Sequence, residues 1–390
     1  MDKKSKLVLL NQVFSPSTPI QEKDFFFGRM SQLEKIIEAI NEKGQHAILY
    51  GERGVGKTSL ANTMNKSFTN VFPVKVTCDR KDSFKSLWES AFEKIQFSKT
   101  TSGIGFNAEK MTEIVDMEEH ITTIQNLKTN HIITLLNSFG EDFKLMFIFD
   151  EFDNINNEKT RASFADLIKS LSDNNINTTI ILVGIADNIE SLIGNHQSLE
   201  RCLKQVKLPR MGKEECEEII DNGIKKLGLK IDKIVREKII EFSSGFPHYV
   251  HLLCKYGCRE LINNERITFS EAYLTIAINK GIDNTSEQLR ISYRKAILSS
   301  NSSEKWKFLL HACANCNLDE FNSFSISDIV KKYNSLTKSN SKNNNLNYNL
   351  NKLATESRGE ILAKLGKGMS TRYTFKNPMM RAFIKLKMNS

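Results

Sequence analysis

Eight residues constrain what this chain can fold into more than any others: Gly51-Glu52-Arg53-Gly54-Val55-Gly56-Lys57-Thr58. Their spacing is G-x-x-x-x-G-K-[ST], a glycine-rich turn whose backbone N–H groups can surround a phosphate while a lysine and a hydroxyl reach its outer oxygens. The apolar run His46-Ala47-Ile48-Leu49-Tyr50 before it predicts a buried strand, and Ser59-Leu60-Ala61-Asn62-Thr63-Met64 after it predicts the first turns of a helix. Strand, turn and helix N-terminus together make an anion site, because free N–H groups and the helix dipole converge on one point. Lys57 is the candidate for the β- and γ-phosphates of a nucleotide, and Thr58 for its Mg2+.

That loop is one short element of a long chain. Its 390 residues are enough for two or three domains. No apolar run approaches the ~18 residues of a membrane-spanning helix. The N-terminus has only the four apolar residues Leu7–Leu10 in succession, too short for a signal-peptide core. A cytoplasmic location without a membrane partner is expected. The seven cysteines form no framework. Cys313-Ala314-Asn315-Cys316 has no second pair, so free thiols are expected rather than a four-ligand zinc site. Net charge is +9 overall, but residues 281–390 carry +10 and the preceding 280 carry −1. That asymmetry points to an anionic partner at the C-terminal end, nucleic acid being the usual one.

Along the chain, residues 1–24 read as an irregular polar tail containing Pro16 and Pro19. A helix is predicted from Ser31, with Leu33, Ile36, Ile37 and Ile40 at helical spacing and Gly44 after it. After the glycine loop, Val74–Cys78, Lys144–Phe149 and Thr178–Gly184 read as strands. Asp82–Ile95, His120–Phe139 and Thr160–Leu171 read as helices, and residues 97–112 as a weakly patterned surface insertion. Continuous apolar strands alternating with helices predict a parallel sheet covered on both faces, an α/β fold. Lys213 to about Lys280 reads as all helical. Beyond it come helices at Ser303–Cys313 and Ser325–Asn334, an Asn/Ser/Lys-rich loop at Thr337–Asn351, and two strands at Ile361–Leu365 and Arg372–Phe375. Helices followed by a hairpin predict a winged helix. Its second helix, ending near Lys331 and Lys332, and the hairpin cations Lys364, Lys367 and Arg372 are candidates for DNA phosphates. Phe308, Phe321, Phe324 and Phe375 are expected to be packing residues.

The chemistry follows from where the strands end. Leu145–Phe149 would deliver Asp150 and Glu151 to the carboxyl edge of the sheet, where open α/β folds bind ligands. Asp150 is the candidate partner of Thr58 at Mg2+. Glu151 is the candidate for orienting and polarising an attacking water. Asp153 could cap the following segment or sit near the metal, and the structural role is expected. Asp187, or alternatively Asn188, follows the next strand and could reach between the γ-phosphate and that water. Arg201 closes the segment after that strand and could project into the nucleotide of a neighbouring copy. Arg210 is a second candidate, acting within its own chain.

The order of these motifs resembles the AAA+ ATPases of the origin-recognition-initiator and STAND-like group. The matching pieces are Phe27-Gly28-Arg29, Gly51–Thr58, Phe149-Asp150-Glu151, Gly184–Asp187, Glu200-Arg201 and Gly245-Phe246-Pro247-His248. The resemblance implies an N-terminal tail (1–24), a P-loop αβα nucleotide domain (25–210), a helical lid (211–282) and a basic winged helix (283–390). It implies ATP and Mg2+ as cofactors, with Gly28 and Arg29 near the adenine. Gly51, Glu52, Arg53, Gly54, Val55, Gly56, Lys57, Thr58 and Ser59 would lie around the phosphates. Asp187 would sense the γ-phosphate and Arg201 would be an intersubunit finger. His248 stands where many AAA+ lids carry an arginine. A histidine there charges only near its pKa of ~6.5, so it could contact the β-phosphate weakly or simply fill the lid, and a slow, nucleotide-gated switch is favoured. Two functions are therefore expected: an ATPase coupling nucleotide state to homo-oligomer assembly on DNA, as in replication, transposition or anti-phage defence, or a STAND-like switch that hydrolyses slowly and recruits a separate effector protein.

Overall fold

The computed structural model describes residues 1–16, 27–64, 71–102, 110–116, 119–139, 144–186, 189–193, 199–298, 303–319, 322–341, 343–366 and 371–389. The chain divides into two compact units, Pro19–Pro209 and a second made of Met1–Thr18 with Arg210–Ser390.

The chain opens with helix α1 (Lys3–Val13), where an irregular tail was expected. Asp2 caps it by accepting the Ser5 N–H at 3.1 Å. The tail looks polar because only one face is apolar: Leu10, Val13 and Phe14 are fully buried within the second unit. Phe14 meets His251 edge to face, with ring centroids 5.9 Å apart. A Cβ on Gly223 would stand 2.3 Å from the Phe14 ring, so the glycine is what lets the ring in.

The unit Pro19–Pro209 holds α2 (Met30–Asn41), β1 (His46–Gly51), α3 (Lys57–Met64), β2 (Val71–Thr77), α4 (Phe84–Phe92), β3 (Gln96–Ser102) and β4 (Lys110–Asp116). It continues with α5 (Glu119–Thr122), α6 (Thr129–Asn137), β5 (Lys144–Asp150), α7 (Glu158–Asp173), β6 (Thr178–Ile185), α8 (Glu190–Ile193) and β7 (Leu203–Lys207). Five strands form one parallel sheet in the order β2-β5-β6-β1-β7. The α/β expectation is thereby met. The glycine-loop strand β1 lies inside the sheet, between β6 and β7, and its first five residues pair residue for residue with β7 from His46↔Leu203 to Tyr50↔Lys207. Burial explains the continuous apolar runs: Leu145 to Phe149 and Ile180 to Val183 are all essentially inaccessible. Trp88 anchors one face, with ring centroids 4.9 Å from Phe147, 5.5 Å from Phe149 and 5.5 Å from Phe92.

Local chemistry sets several helix starts. Ser83 and Ser86 form a reciprocal capping box at α4, and the Asn157 side chain accepts the Lys159 and Thr160 N–H groups at α7. Two expectations are corrected here. Helix α2 starts at Met30 with Arg29 at its cap, not at Ser31. Within the stretch expected as a surface insertion, the described residues pair as antiparallel strands, Gln96↔Asp116 to Ser102↔Lys110. The continuous helix expected over His120–Phe139 is two helices, α5 and α6. Strand β7 had no sequence signal, since its pattern Leu203-Lys-Gln-Val206-Lys buries only two side chains.

The other unit continues with α9 (Lys213–Lys226), β8 (Lys230–Ile231), α10 (Lys233–Ser243), α11 (Pro247–Asn263), β9 (Thr268–Phe269), α12 (Glu271–Asp283), α13 (Glu287–Ile297) and α14 (Ser303–Ala314). It ends with β10 (Phe324–Ser325), α15 (Ile326–Thr337), α16 (Asn343–Leu353), β11 (Leu362–Leu365), β12 (Arg372–Phe375) and α17 (Met380–Met388). The Asn-rich stretch expected as a loop is the helix α16. Leu346, Leu350 and Leu353, at spacings of four and three, bury one side of it. The Tyr373 hydroxyl lies 3.0 and 3.1 Å from the Oδ1 atoms of Asn347 and Asn351, which share its one proton, so two of the asparagines tie α16 to the hairpin. The three strands pair antiparallel in the order β10-β12-β11. Phe324 and Phe375 pack at 5.6 Å, as expected; Phe321 lies outside the described residues. Helix α17 ties the last module to the helices before it: Arg381 donates to the carbonyls of Ala314 and Cys316, and Lys385 to that of Glu241. All seven cysteines are buried and free.

Candidate functional site

The loop 51–58 leaves the carboxyl end of β1 and runs into α3, and its glycines are required by geometry. Gly54 and Gly56 have φ of 87° and 100°, which favour a residue without Cβ. Gly51 combines a φ of 153° with contact: a Cβ there would sit 2.3 Å from the Leu208 carbonyl oxygen. The Leu208 N–H in turn donates to the Tyr50 carbonyl at 2.7 Å, so the end of β7 is laid against the loop. Gly51→Ala is expected to lower unfolding stability by about 2–4 kcal/mol, read as an earlier urea midpoint.

Lys57 is buried, 8% exposed, and curls over the loop that carries it. Its Nζ donates to the carbonyls of Gly51 at 2.9 Å and Glu52 at 2.8 Å. Burial pushes its pKa down to about 8, opposed by the charges of Asp153, Asp150 and Glu52. Arg29, expected near the adenine, is 1% exposed and braces the loop from behind. Its Nη2 donates to the Val55 carbonyl at 3.2 Å and to the Pro209 carbonyl at 2.6 Å. Gly28, beside it, has a left-handed φ of 81°.

Strand β5 brings the acids to the same edge. Asp150 is 3% exposed, and its Oδ1 lies 3.5 Å from the Thr58 hydroxyl. The same oxygen accepts the Glu151 N–H at 3.0 Å. Its other oxygen, Oδ2, lies 2.9 Å from Lys75 Nζ on β2. The pairing of β2 with β5, Thr77↔Asp150, delivers that lysine. Glu151 takes the left-handed conformation (φ 58°), uncommon for a residue with a side chain. Its Oε2 accepts from Asn154 Nδ2 at 3.1 Å, and the same amide donates to the Cys78 carbonyl at 3.3 Å. Asp153 does not cap its own segment. It accepts the Ile185 N–H at 2.7 Å and so ties the ends of β5 and β6 together, as a structural residue. The donors Thr58 Oγ1 and Asp150 Oδ1 are hard oxygens facing one another, which suits a small hard cation completed by phosphate and water. Among the described residues, no group of three or more His, Cys, Asp or Glu could hold a metal by itself.

Arg201 is not gathered at this edge. Asp187 and Asn188 lie outside the described residues. Arg201 precedes β7, its carbonyl accepting from Gln45 at 2.8 Å, at the edge where the strands begin. Five strand residues, roughly 17 Å, separate that edge from the loop. Arg201 therefore cannot serve its own chain's loop; its guanidinium pairs with Asp173 and remains 71% exposed. In the other unit, His248 Nδ1 lies 2.8 Å from the Pro16 carbonyl, so it carries the proton and donates. Burial lowers the His248 pKa, against that hydrogen bond, and disfavours the cation. Pro247 occupies the first turn of α11 after Gly245 (φ 80°), whose carbonyl accepts the Met211 N–H at 2.8 Å. Arg210 lays its guanidinium over the Phe246 ring at 4.8 Å. Of the hairpin cations, Arg372 pairs with Asp319 at 2.8 Å and is a structural residue, while Lys364 is exposed and Lys367 lies outside the described residues. Lys75, Asn154 and the bracing role of Arg29 carried no sequence signal, because each depends on strand pairing or loop packing.

Among the described residues no helix is long and apolar enough to cross a membrane. Comparison with curated proteins gives no match. A Walker-type ATPase of Pyrococcus abyssi has a similar fold, with TM-score 0.53 and 15% identity over 96% of this chain and 99% of that one. The Aeropyrum pernix ORC2 protein, solved as ADPNP–ADP complexes, matches with TM-score 0.47 and 14% identity over 97% and 98% of the two chains. The family model for Novel STAND NTPase 1 matches residues 18–277, which include the whole glycine loop, both acids of β5 and the Gly245–His248 turn. Two thirds of the chain lie within that match, so the protein belongs to the Novel STAND NTPase 1 family of P-loop NTPases.

Proposed function

We propose that the protein is a Mg2+-dependent, ATP-binding and slowly hydrolysing switch whose ATP-bound form assembles with further copies of itself. The observation that carries this reading is the convergence of Lys57, Thr58, Asp150 and Glu151 on the loop between β1 and α3. Loop N–H groups from Glu52 to Ser59 hold the phosphates, and Lys57 exchanges the carbonyls of Gly51 and Glu52 for phosphate oxygens. Thr58 and Asp150 would hold Mg2+, which would supply neutralisation of the phosphate charge. Glu151 orients the attacking water after leaving Asn154, a local cost that suits slow turnover. Asp187, or Asn188, remains the proposed sensor of the γ-phosphate. Arg201, exposed and on the opposite edge from its own loop, is proposed to act on the nucleotide of a neighbouring copy. Arg201→Ala should then lower hydrolysis about 10³-fold at assembling concentrations and leave a dilute monomer unchanged. Equal loss in both conditions would show that Arg201 has no role between subunits. His248 is proposed as a lid residue that meets the nucleotide weakly, and a separate effector protein as the recipient of the signal in the cytoplasm.

A specific observation favours DNA as a partner of the last module. Its order of helices and antiparallel strands from α14 to β12 supports a winged helix, and residues 281–390 hold the whole positive excess of the chain. The helix proposed for the groove is α16 rather than α15, because it directly precedes the hairpin. Tyr348 on it is 63% exposed, and Lys352 lies 4.6 Å over its ring. Light scattering with ADP or a slowly hydrolysed ATP analogue, with and without duplex DNA, tests both parts. Assembly with the ATP analogue alone supports the switch. Salt-dependent DNA binding that needs residues 283–390 supports the DNA partner. A chain that stays monomeric throughout overturns the assembly reading.

A further inference from the structure

The buried carboxylate of Asp150 has one neighbour that a metal-binding acid does not ordinarily need. Lys75 stands on β2 opposite Ile148, two residues before the pair Thr77↔Asp150, so the pleat puts it on the same sheet face as Asp150. Its Nζ lies 2.9 Å from Asp150 Oδ2 and donates to Asn62 Oδ1 on α3 at 2.6 Å. Its side chain is only 19% exposed, and that of Asp150 4%. The ammonium is thus held by a strand on one side and a helix on the other, and it occupies the oxygen that Thr58 does not face. The remaining oxygen, Oδ1, lies near Thr58 and already takes the Glu151 N–H.

A fixed positive charge on one oxygen of a carboxylate has two effects on a divalent cation approaching the other. It withdraws electron density from the shared carboxylate, and it repels the second cation across a few ångströms of poorly solvated space. It also prevents Asp150 from turning to offer both oxygens.

We propose that Lys75, clamped by Asn62, is a positioning residue that raises the Mg2+ concentration the nucleotide site requires. The proposal rests on the nucleotide-and-metal reading above. Nucleotide then binds the loop through its phosphates at low Mg2+, and the metal-loaded site forms only at higher Mg2+. Nucleotide retention is thereby separated from readiness for hydrolysis, as a slow switch requires.

The test is calorimetric titration of the full chain with ADP, in EDTA and across a Mg2+ series. Lys75→Met is expected to lower the half-saturating Mg2+ concentration about tenfold, through the lost cation–cation repulsion, with ADP affinity in EDTA within about twofold of wild type. Lys75→Arg, which keeps the charge, is expected to stay near the wild-type half-point. A Lys75→Met half-point equal to or above wild type overturns the proposal, and so does a Lys75→Arg variant that behaves like Lys75→Met. If Lys75→Met does not fold, Lys75→Gln supplies the same comparison. A wild-type chain that binds no ADP at any Mg2+ concentration overturns the nucleotide reading itself. ADP binding with an unmoved half-point overturns only the role of the lysine.

Discussion

Lys57→Met is expected to abolish the thermal stabilisation produced by ADP or an ATP analogue while leaving the nucleotide-free protein at least as stable as wild type. The first half follows from position: Lys57 is a cation at the mouth of the amide-lined turn, already bonded to the carbonyls of Gly51 and Glu52. Without it the phosphates keep the backbone donors but lose the one side-chain cation of the loop that is buried there, about 2–4 kcal/mol of a charged, hydrogen-bonded contact. The second half follows from burial. A lysine pushed down to about pKa 8 is held in its charged form at neutral pH against desolvation, a cost of up to about 3 kcal/mol. Two carbonyl hydrogen bonds offset part of that cost. Removing the amine should thus change nucleotide-free stability by roughly 0 to +2 kcal/mol.

The pH dependence has a definite sign. The folded pKa lies below the ordinary 10.5, so the native state releases its proton first, and the stability of the nucleotide-free protein rises between about pH 8 and 10.5. Nucleotide affinity runs the other way. Phosphate favours the ammonium, so affinity is flat below about pH 8 and falls by up to about tenfold per unit above it. Scanning fluorimetry with and without ADP between pH 7 and 10 measures both slopes. A wild-type ADP shift retained in Lys57→Met would refute the assignment of the loop.

Glu151→Gln is expected to leave ATP binding within about twofold of wild type and lower turnover about 10²–10⁴-fold, trapping the ATP form. The carboxylate stands one residue beyond Asp150 on a left-handed turn, and its backbone N–H is bonded to Asp150 Oδ1. The side chain can change its partner without moving the backbone. Glutamine keeps the shape and the approach to Asn154 but cannot accept a proton from water. Single-turnover hydrolysis, read beside equilibrium binding, separates the two effects. Unchanged hydrolysis would remove Glu151 from the reaction.

How far the fold and the site could be read in advance differed element by element. Strands β1, β5 and β6 are buried on both faces, so their apolar runs were visible as strands. Strand β7, at the sheet edge, buries only Leu203 and Val206 and gave no periodic signal. The Asn-rich segment reads as a loop because asparagine is a poor helix former in isolation. Leu346, Leu350, Leu353 and the Tyr373 hydroxyl override that preference through tertiary contact. Helix α1 was missed for the same reason, its core contribution resting on three side chains near its end.

The amino-acid sequence alone determined the glycine loop, its lysine and threonine, and the strand that brings Asp150 and Glu151 to one edge. Each of these is written in a contiguous run, where local spacing and period carry the information. Tertiary structure alone decided which side chains hold those groups: Lys75 and Asn62 at Asp150, Asn154 at Glu151, and Arg29 behind Val55. It also decided that Arg201 lies across the sheet from its own loop. Such contacts depend on strand order, register and loop packing, which join residues far apart in the chain and leave no periodic trace in it.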